Sequence, residues 1–375
     1  MLTWVHFGDL HASHEDGYES VGQLRQLVDA VNTNVAHAAQ FAYLPGDNAN
    51  NGKPEQYAKI RSVLNALRLP INAIPGDHDF EPGSLDAFHS ALSADSLPKQ
   101  VTVNGHRCLF LDIVSAGAGG PDFRLGAAQT TWLTEQLEAC VHDTERPVVF
   151  MHAYPGDLAD GGEDLAHLFA WAGVRVVDTG HTHYNELLND GAVIYAATRS
   201  TGQIEEDGGR AGVAIVTVDG SVVSWRFQPV SGAWPLVMIT TPADRRLVTD
   251  ALDNRQVPVG RCVVRAKVFG RHIADVMVTV GDQRIAMQPV PGEHAVWQAE
   301  LVQPPNGDRY RVQVVASDAN GNSASDSIEV LTPQGAGKCA FSDAPLGTDA
   351  HAVGEWADRG LLGSQLGPNK HGRAW

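Results

Sequence analysis

Three observations predict an α/β domain with a parallel sheet, followed by a smaller all-β sandwich. From Thr3 to Asp79, short apolar runs alternate with helical periodicity in the order β-α-β-α-β, which normally gives a parallel sheet covered by helices. Each of these strands runs into a tight turn carrying Asp or His. After Pro235 the apolar period changes from helical to strict alternation, the mark of short half-buried strands. A chain of 375 residues is too long for one ordinary core. The expected division is 1–230, 236–332, and an irregular tail, 333–375, that docks rather than hangs free.

The strand Thr3–Phe7 ends in Gly8-Asp9-Leu10-His11, and Val21, Leu24, Leu27, Val28, Val31 and Val35 then recur at helical spacing. A second strand, Phe41–Leu44, ends in Pro45-Gly46-Asp47-Asn48. A second helix is expected through Tyr57, Ile60, Val63, Leu64 and Leu67, and the strand Ile71–Ile74 then delivers Pro75-Gly76-Asp77-His78-Asp79. Ligands of such sheets sit beyond the carboxyl ends of the strands, where all three turns fall. Val101–Val103 and Cys108–Val114 read as a hairpin about Asn104-Gly105. Trp132, Leu133, Leu137 and Cys140 form a helical face. Val148–Met151 leads into His152-Ala153-Tyr154-Pro155, and Val174–Val177 into Gly180-His181-Thr182-His183. Strands near 192–196, 212–218 and 222–228 are expected to close the domain as a meander, with Pro229–Pro235 as a linker.

Beyond it, Cys262, Val264, Ala266 and Val268 alternate with polar residues, as do Val276, Val278 and Val280, then Ala295, Trp297, Ala299 and Leu301, then Tyr310, Val312, Val314 and Ala316. This pattern fits an immunoglobulin-like or fibronectin-like β-sandwich. Asp318, Asn320 and Asn322 imitate the start of a calcium loop but lack its later Gly and Glu, so a hairpin turn is expected. A short helix is expected near 351–362, with Trp356 and Trp375 docking the tail. No catalytic cluster falls in the sandwich, so it is expected to be accessory, and a chain ending near Gly232 is expected to keep metal binding at lower stability.

The charge balance, 27 Lys+Arg against 44 Asp+Glu with a net −17, argues against a nucleic-acid polymer as partner, since backbone binding needs a basic surface. Cys108, Cys140, Cys262 and Cys339 are scattered without a CxxC pair, which suits reduced thiols rather than a disulfide framework or zinc-thiolate site. No run is long and apolar enough for a membrane span, and no secretory segment precedes the first strand, so a cytoplasmic address without membrane partners is expected.

Carboxylates and imidazoles gathered at strand ends, without thiolate, suit Mn, Fe or Zn better than Ca or Mg. The ordered blocks are Asp9-x-His11, Gly46-Asp47, Gly76-Asp77-His78-Asp79, His152, and Gly180-His181-x-His183. Over about residues 1–230 this order resembles the calcineurin-like metallophosphoesterase superfamily, and its spacing most resembles the bacterial cyclic-nucleotide phosphodiesterase branch. The resemblance implies a four-layer αββα sandwich and two divalent or transition metal ions. It assigns Asp9, His11 and His183 to one ion, Asp77, His152 and His181 to the other, and Asp47 to both. His78 becomes the histidine that touches the phosphate and assists the leaving group, and a hydroxide between the ions becomes the nucleophile. The family usually has Asn at the position of Asp77. The expected substrate is a small phosphodiester, with a cyclic nucleotide as one candidate. Phosphomonoesterase or protein phosphatase activity is the alternative, and a non-catalytic binding protein on this fold a more distant one. Asp178 is a candidate acceptor behind His181, or a strand-end cap; Arg199 is a candidate phosphate contact, or an ordinary surface arginine. His14, Glu15 and Asp16 are pocket lining or solvated loop, and His6 and His37 are read as structural.

Overall fold

Strand pairing in the computed structural model, which describes residues 1–92, 96–203, 210–302, 304–337 and 350–361, brings the acidic and histidine turns to one end of two facing sheets. In chain order the elements of the first part are β1 (Leu2–His6), α1 (Glu19–Asn34), β2 (Phe41–Leu44), α2 (Pro54–Leu64), β3 (Ile71–Ala73), the one-turn α3 (Asp77–Phe80), α4 (Asp86–Ala91), β4 (Lys99–Val103), β5 (His106–Phe110), α5 (Ala127–Cys140), β6 (Val148–Phe150), α6 (Gly162–Ala172), β7 (Val176–Thr179), β8 (Glu186–Asn189), β9 (Ile194–Ala197), β10 (Gly212–Asp219) and β11 (Val222–Pro229). β12 (Leu236–Thr241), β13 (Cys262–Phe269), β14 (Ile273–Val280), β15 (Gln283–Ala286), β16 (Gln288–Pro289), β17 (Val296–Leu301), β18 (Arg309–Asp318) and β19 (Ser323–Leu331) follow, and β20 (His351–Ala352) lies in the tail.

One sheet has the order β11-β10-β1-β2-β3, and the other β20-β8-β9-β7-β6-β5-β4. β1, β2 and β3 are parallel, as are β5, β6, β7 and β9. Strand alternation sorts the side chains by face. Val5, Ala42 and Leu44 share a core with Leu24 and Val28 of α1, and Leu109, Val149 and Val177 share it with Leu133 and Phe169 of α5 and α6. Trp4, Phe41, Tyr43, Phe110 and Phe150 turn the other way and fill the space between the sheets. The Phe110 and Phe150 rings stack at 4.5 Å, with Tyr43 at 4.7 Å and Trp4 at 5.3 Å edge-on to Phe150.

Several expectations change. The strands after His183 do not form a meander: β9 lies between β7 and β8, whereas β10 crosses to the other sheet and runs antiparallel to β1. Alternation identifies a strand but not its partner, and the default of pairing sequence neighbours fails here. β8, too short to stand out, was not foreseen. Pro229–Pro235 links β11 to β12 through a tight turn, in which Gly232 N donates to the Pro229 carbonyl at 2.8 Å. Ser224 Oγ and Arg226 Nη1 on β11 donate to the carbonyls of Ile239 and Val237 on β12 at 2.8 and 2.7 Å. Instead of the helix expected near 351–362, the described residues 351–361 begin with β20, which pairs with β8, and continue through a 3-10 turn, Ala357–Arg359. Trp356 is buried, while Trp375 and Cys339 lie outside the described residues.

β12 to β19 form two four-stranded antiparallel sheets, β12-β13-β17-β16 and β15-β14-β18-β19. Val264, Ala266 and Val268 face Val276, Val278, Val312 and Val314 in one core. Within β17, Val296 is inside and Trp297 only half-buried. Asp318 accepts from the backbone of Asn320 and Asn322 and from Asn322 Nδ2 at 2.9, 2.9 and 2.8 Å, so its oxygens close the hairpin turn. Cys108, Cys140 and Cys262 are buried free thiols. No helix among the described residues is long and apolar enough to cross a membrane.

Candidate metal centre

The turns after β1, β2, β3, β6 and β7 carry the site, and their backbones are unusual. His11, Asp47, His181 and His183 have φ of +41°, +49°, +66° and +62°. Non-glycine residues reach this left-handed region at a cost of order 1–3 kcal/mol each, and such residues collect where the surroundings over-determine them. Here His11 N donates to the Asp47 carbonyl at 2.8 Å, His181 N to Asp9 Oδ2 at 2.8 Å, and His78 N to Asp47 Oδ1 at 3.0 Å. Two glycines permit the approach. A Cβ on Gly76 would lie 2.2 Å from Asp47 Oδ1, and one on Gly180 would lie 2.3 Å from Asp9 Oδ1.

The side chains converge in two groups that share one member. Asp9, His11, Asp47 and His183 place one ligand atom each within 4.8 Å of one another, and so do Asp47, Asp77, His152 and His181. His11 Nε2 and His183 Nε2 are 2.9 Å apart, and His183 Nε2 is 3.5 Å from Asp9 Oδ2. In the second group His152 Nε2 lies 3.3 Å from Asp77 Oδ1 and 3.5 Å from Asp47 Oδ2, with His181 Nδ1 at 3.7 Å from Asp77 Oδ1. Ligands held about 2.0–2.2 Å from one cation stand roughly 3–3.5 Å apart, so these spacings fit bound ions. One oxygen of buried Asp9 has no hydrogen-bond donor, a deficit that a cation would offset.

The electrostatics agree. Burial pulls the His11 imidazole down to about 3 and the His181 imidazole down to about 4, keeping both neutral and ready to ligate. Burial pushes Asp9 up to about 6, a carboxylate short of positive charge. Burial opposes the charged form of His152, but Asp47, Asp77 and Asp9 together outweigh this and raise its pKa, so a cation must displace that proton. His152 Nδ1–H donates to the Pro45 carbonyl at 2.8 Å, which turns Nε2 to the site.

His78 sits at the rim, half-buried, its ring 4.8 Å from that of His11. Nδ1 donates to the Asn50 carbonyl at 2.9 Å and is 3.1 Å from Glu81 Oε1. Burial lowers its pKa, but Asp47, the Asn50 carbonyl, Asp77 and Glu81 together raise it. Arg199 is buried, its guanidinium 4.5 Å over the Phe227 ring and donating to the Arg210 carbonyl at 3.4 Å. His14, Glu15 and Asp16 are exposed. Asp178 does not stand behind His181. It accepts from Trp4 Nε1 at 2.6 Å and pairs with His6 Nδ1 at 2.9 Å, a buried tie between the two sheets.

Three supports were not foreseen. Asp79 accepts from Asn48 N and Nδ2, Ala49 N, Gly76 N and Tyr57 Oη at 2.6–3.2 Å, locking the second and third turns together. Its bond to Gly76 is a capping interaction, which can be recognised once the turn is known. Phe123 packs edge-on to His152 and His181 at 5.7 and 4.9 Å. The turn after β9 braces the first turn: Ser200 Oγ and Thr201 N donate to the Asp9 carbonyl at 2.9 and 2.8 Å.

The comparisons agree with this geometry. Residues 2–185 match the family described as calcineurin-like phosphoesterase. It is 30% identical over 162 residues to a glycerophosphodiester phosphodiesterase of Enterobacter lignolyticus, covering 42% of this chain and 53% of that protein. A serine/threonine-protein phosphatase of Danio rerio is 26% identical over 58% of this chain and 77% of its own. A cAMP/cGMP dual specificity phosphodiesterase of Mycobacterium tuberculosis is 24% identical over 48% and 61%. The chain thus spans about half the length of the first of these relatives.

Proposed function

We propose that this protein is a dinuclear metal-dependent phosphodiesterase acting on a small phosphodiester, cyclic nucleotides among the candidates. The observation that carries the reading is the pair of ligand groups sharing Asp47, whose Oδ2 lies 3.7 Å from His11 Nε2 in one group and 3.5 Å from His152 Nε2 in the other. Asp9, His11 and His183 would hold one ion, Asp77, His152 and His181 the other, and Asp47 would hold both. Bound there, two cations supply Lewis acidity that lowers the pKa of water and offsets phosphoryl charge. The chain's own residues do the rest. The Pro45 carbonyl and the strained turns orient the imidazoles, and His78, fixed through Nδ1, presents Nε2 to the leaving oxygen as hydrogen-bond or proton donor.

Two relatives named as phosphodiesterases support a diester. The Danio rerio relative, named a protein phosphatase, keeps monoester hydrolysis as the second reading. The net charge of −17 disfavours nucleic-acid polymers. We read β12 to β19 as an immunoglobulin-like accessory module.

The test is hydrolysis by the Mn²⁺- or Zn²⁺-loaded protein of bis-p-nitrophenyl phosphate, p-nitrophenyl phosphate, 3′,5′-cyclic nucleotides and glycerophosphodiesters. A kcat/KM higher for diesters than for the monoester is expected. Monoester preference would select the second reading, and two bound ions with no hydrolysis of any ester would leave a binding protein.

A further inference from the structure

We propose that residues 350–361 are a strap that positions the loop carrying His181 and His183, with Asn185, Arg359 and Asp326 as positioning residues. The inference rests on the two-ion reading of the site and goes beyond it: part of the metal centre's support comes from chain beyond the sandwich.

β8 begins directly after the Gly180–Asn185 loop, and without β20 it would be the edge of its sheet. β20 covers that edge, with His351 opposite Asn189 and Ala352 opposite Leu188, and Val353 N donates to the Leu187 carbonyl at 2.9 Å. The chain then returns to the loop itself. Asn185, fully buried and two residues beyond His183, donates through Nδ2 to the Gly360 carbonyl at 2.9 Å. Its Oδ1 accepts from Arg199 N at 3.0 Å. The next residue, Ser200, donates through N to the His183 carbonyl at 3.3 Å and through Oγ to the Asp9 carbonyl at 2.9 Å. Hydrogen bonds and peptide links therefore run from Gly360 to the backbones of two proposed ligands.

The outer end of the strap is anchored as firmly. Arg359, 1% exposed, donates through Nη2 to both oxygens of Asp326 on β19 at 2.7 and 2.6 Å and through Nη1 to the Trp225 carbonyl on β11 at 3.2 Å. Trp356 lies between the guanidinium groups of Arg246 and Arg359, at 3.6 and 3.8 Å from its ring. Gly360 has φ +80°, and a Cβ there would lie 2.9 Å from Phe227 Cβ, so the turn that presents its carbonyl is itself constrained. A segment that only covered apolar surface would not need a buried charge pair at one end and a buried amide aimed at the loop at the other.

The test is Co²⁺ titration of the full chain, followed by visible absorption, with amide exchange of residues 180–185 measured in metal-free protein. Asn185→Ala and Arg359→Met are expected to weaken both ions by roughly 10–100-fold, the range for loss of a group that orients metal ligands, and to speed exchange in the loop. Arg359→Lys should recover part of the affinity, because an ammonium can still pair with Asp326. Leu133→Ala, in the α5 core, should lower Tm with no change in Co²⁺ affinity, which separates positioning from general stability. Affinities within about twofold of wild type and unchanged exchange in both Asn185→Ala and Arg359→Met would overturn the strap. Failure of the wild-type protein to take up Co²⁺ would overturn the metal reading instead, and the exchange measurement would then decide the strap alone.

Discussion

Asp77, a proposed ligand, stands where the family this chain resembles usually has Asn, and the departure is a charge. Two divalent ions against Asp9 and Asp47 leave a formal +2; an ionised Asp77 lowers that to +1. One unit charge about 4 Å away is worth roughly 4 kcal/mol at an effective dielectric near 20. Asp77 Oδ1 faces His152 and His181. Asp77→Asn is therefore expected to keep the fold and weaken the second ion by tenfold or more. Calorimetric metal titration checks this, and unchanged affinity would remove Asp77 from the charged ligands. Asp47→Ala should lose both ions and all hydrolysis. His78→Ala should keep both ions but slow kcat by about 10²–10⁴-fold, the usual worth of a positioned proton donor. Loss of metal from the His78 variant, read by elemental analysis, would show that the role assignment is wrong.

Packing between the sheets sets how accurately the turns meet. Phe150 ends β6 two residues before His152 and touches Phe110, Tyr43, Trp4 and Phe41 in the closed space between the sheets. Phe150→Ala is expected to cost about 3–5 kcal/mol, since such a site can collapse only partly. Urea denaturation should show this as a lower midpoint at an unchanged slope. A loss below about 1 kcal/mol would mean that the two sheets are less tightly coupled than their aromatic contacts indicate.

Across the molecule, the sandwich and strap are tied to the first part, β1 to β11, by buried polar groups. Lys267 of β13 donates through Nζ to Thr3 Oγ1 at 2.7 Å and to the Ala38 carbonyl, and burial pulls its pKa down to about 7. Because the folded pKa lies below the unfolded value of about 10.4, the unfolded state binds more protons between those limits. Stability from this residue therefore rises with pH through that window, and the cost of burying the charge is full below pH 7. Lys267→Met should be more stable relative to wild type at pH 6 than at pH 9, by a few kcal/mol. A pH-independent difference between the two in denaturant titrations would contradict this. A chain ending near Gly232 would lack β12, Asp326 and the strap. If the strap positions the His181–His183 loop, such a chain binds metal more weakly than the full chain, which Co²⁺ titration of the two would check.

Much of the candidate site could be read from the sequence because its proposed ligands lie in short turns directly after apolar strands, where local pattern and chemistry coincide. Asp9, His11, Asp47, Asp77, His78, His152, His181 and His183 were all named that way, and the structure brings them together. The alternating strands after Pro235 were legible for the same reason: period two is a local signal. Contacts that depend on distant partners were not. The crossing of β10 to β1, the pairing of β20 with β8, the assignment of Asp178 to Trp4 and His6, and the reach of Gly360 to Asn185 join residues far apart in the chain. No periodicity encodes which strand edge lies open or which buried donor lacks an acceptor. Those pairings follow from packing two sheets, a sandwich and a tail together so that buried polar groups find partners.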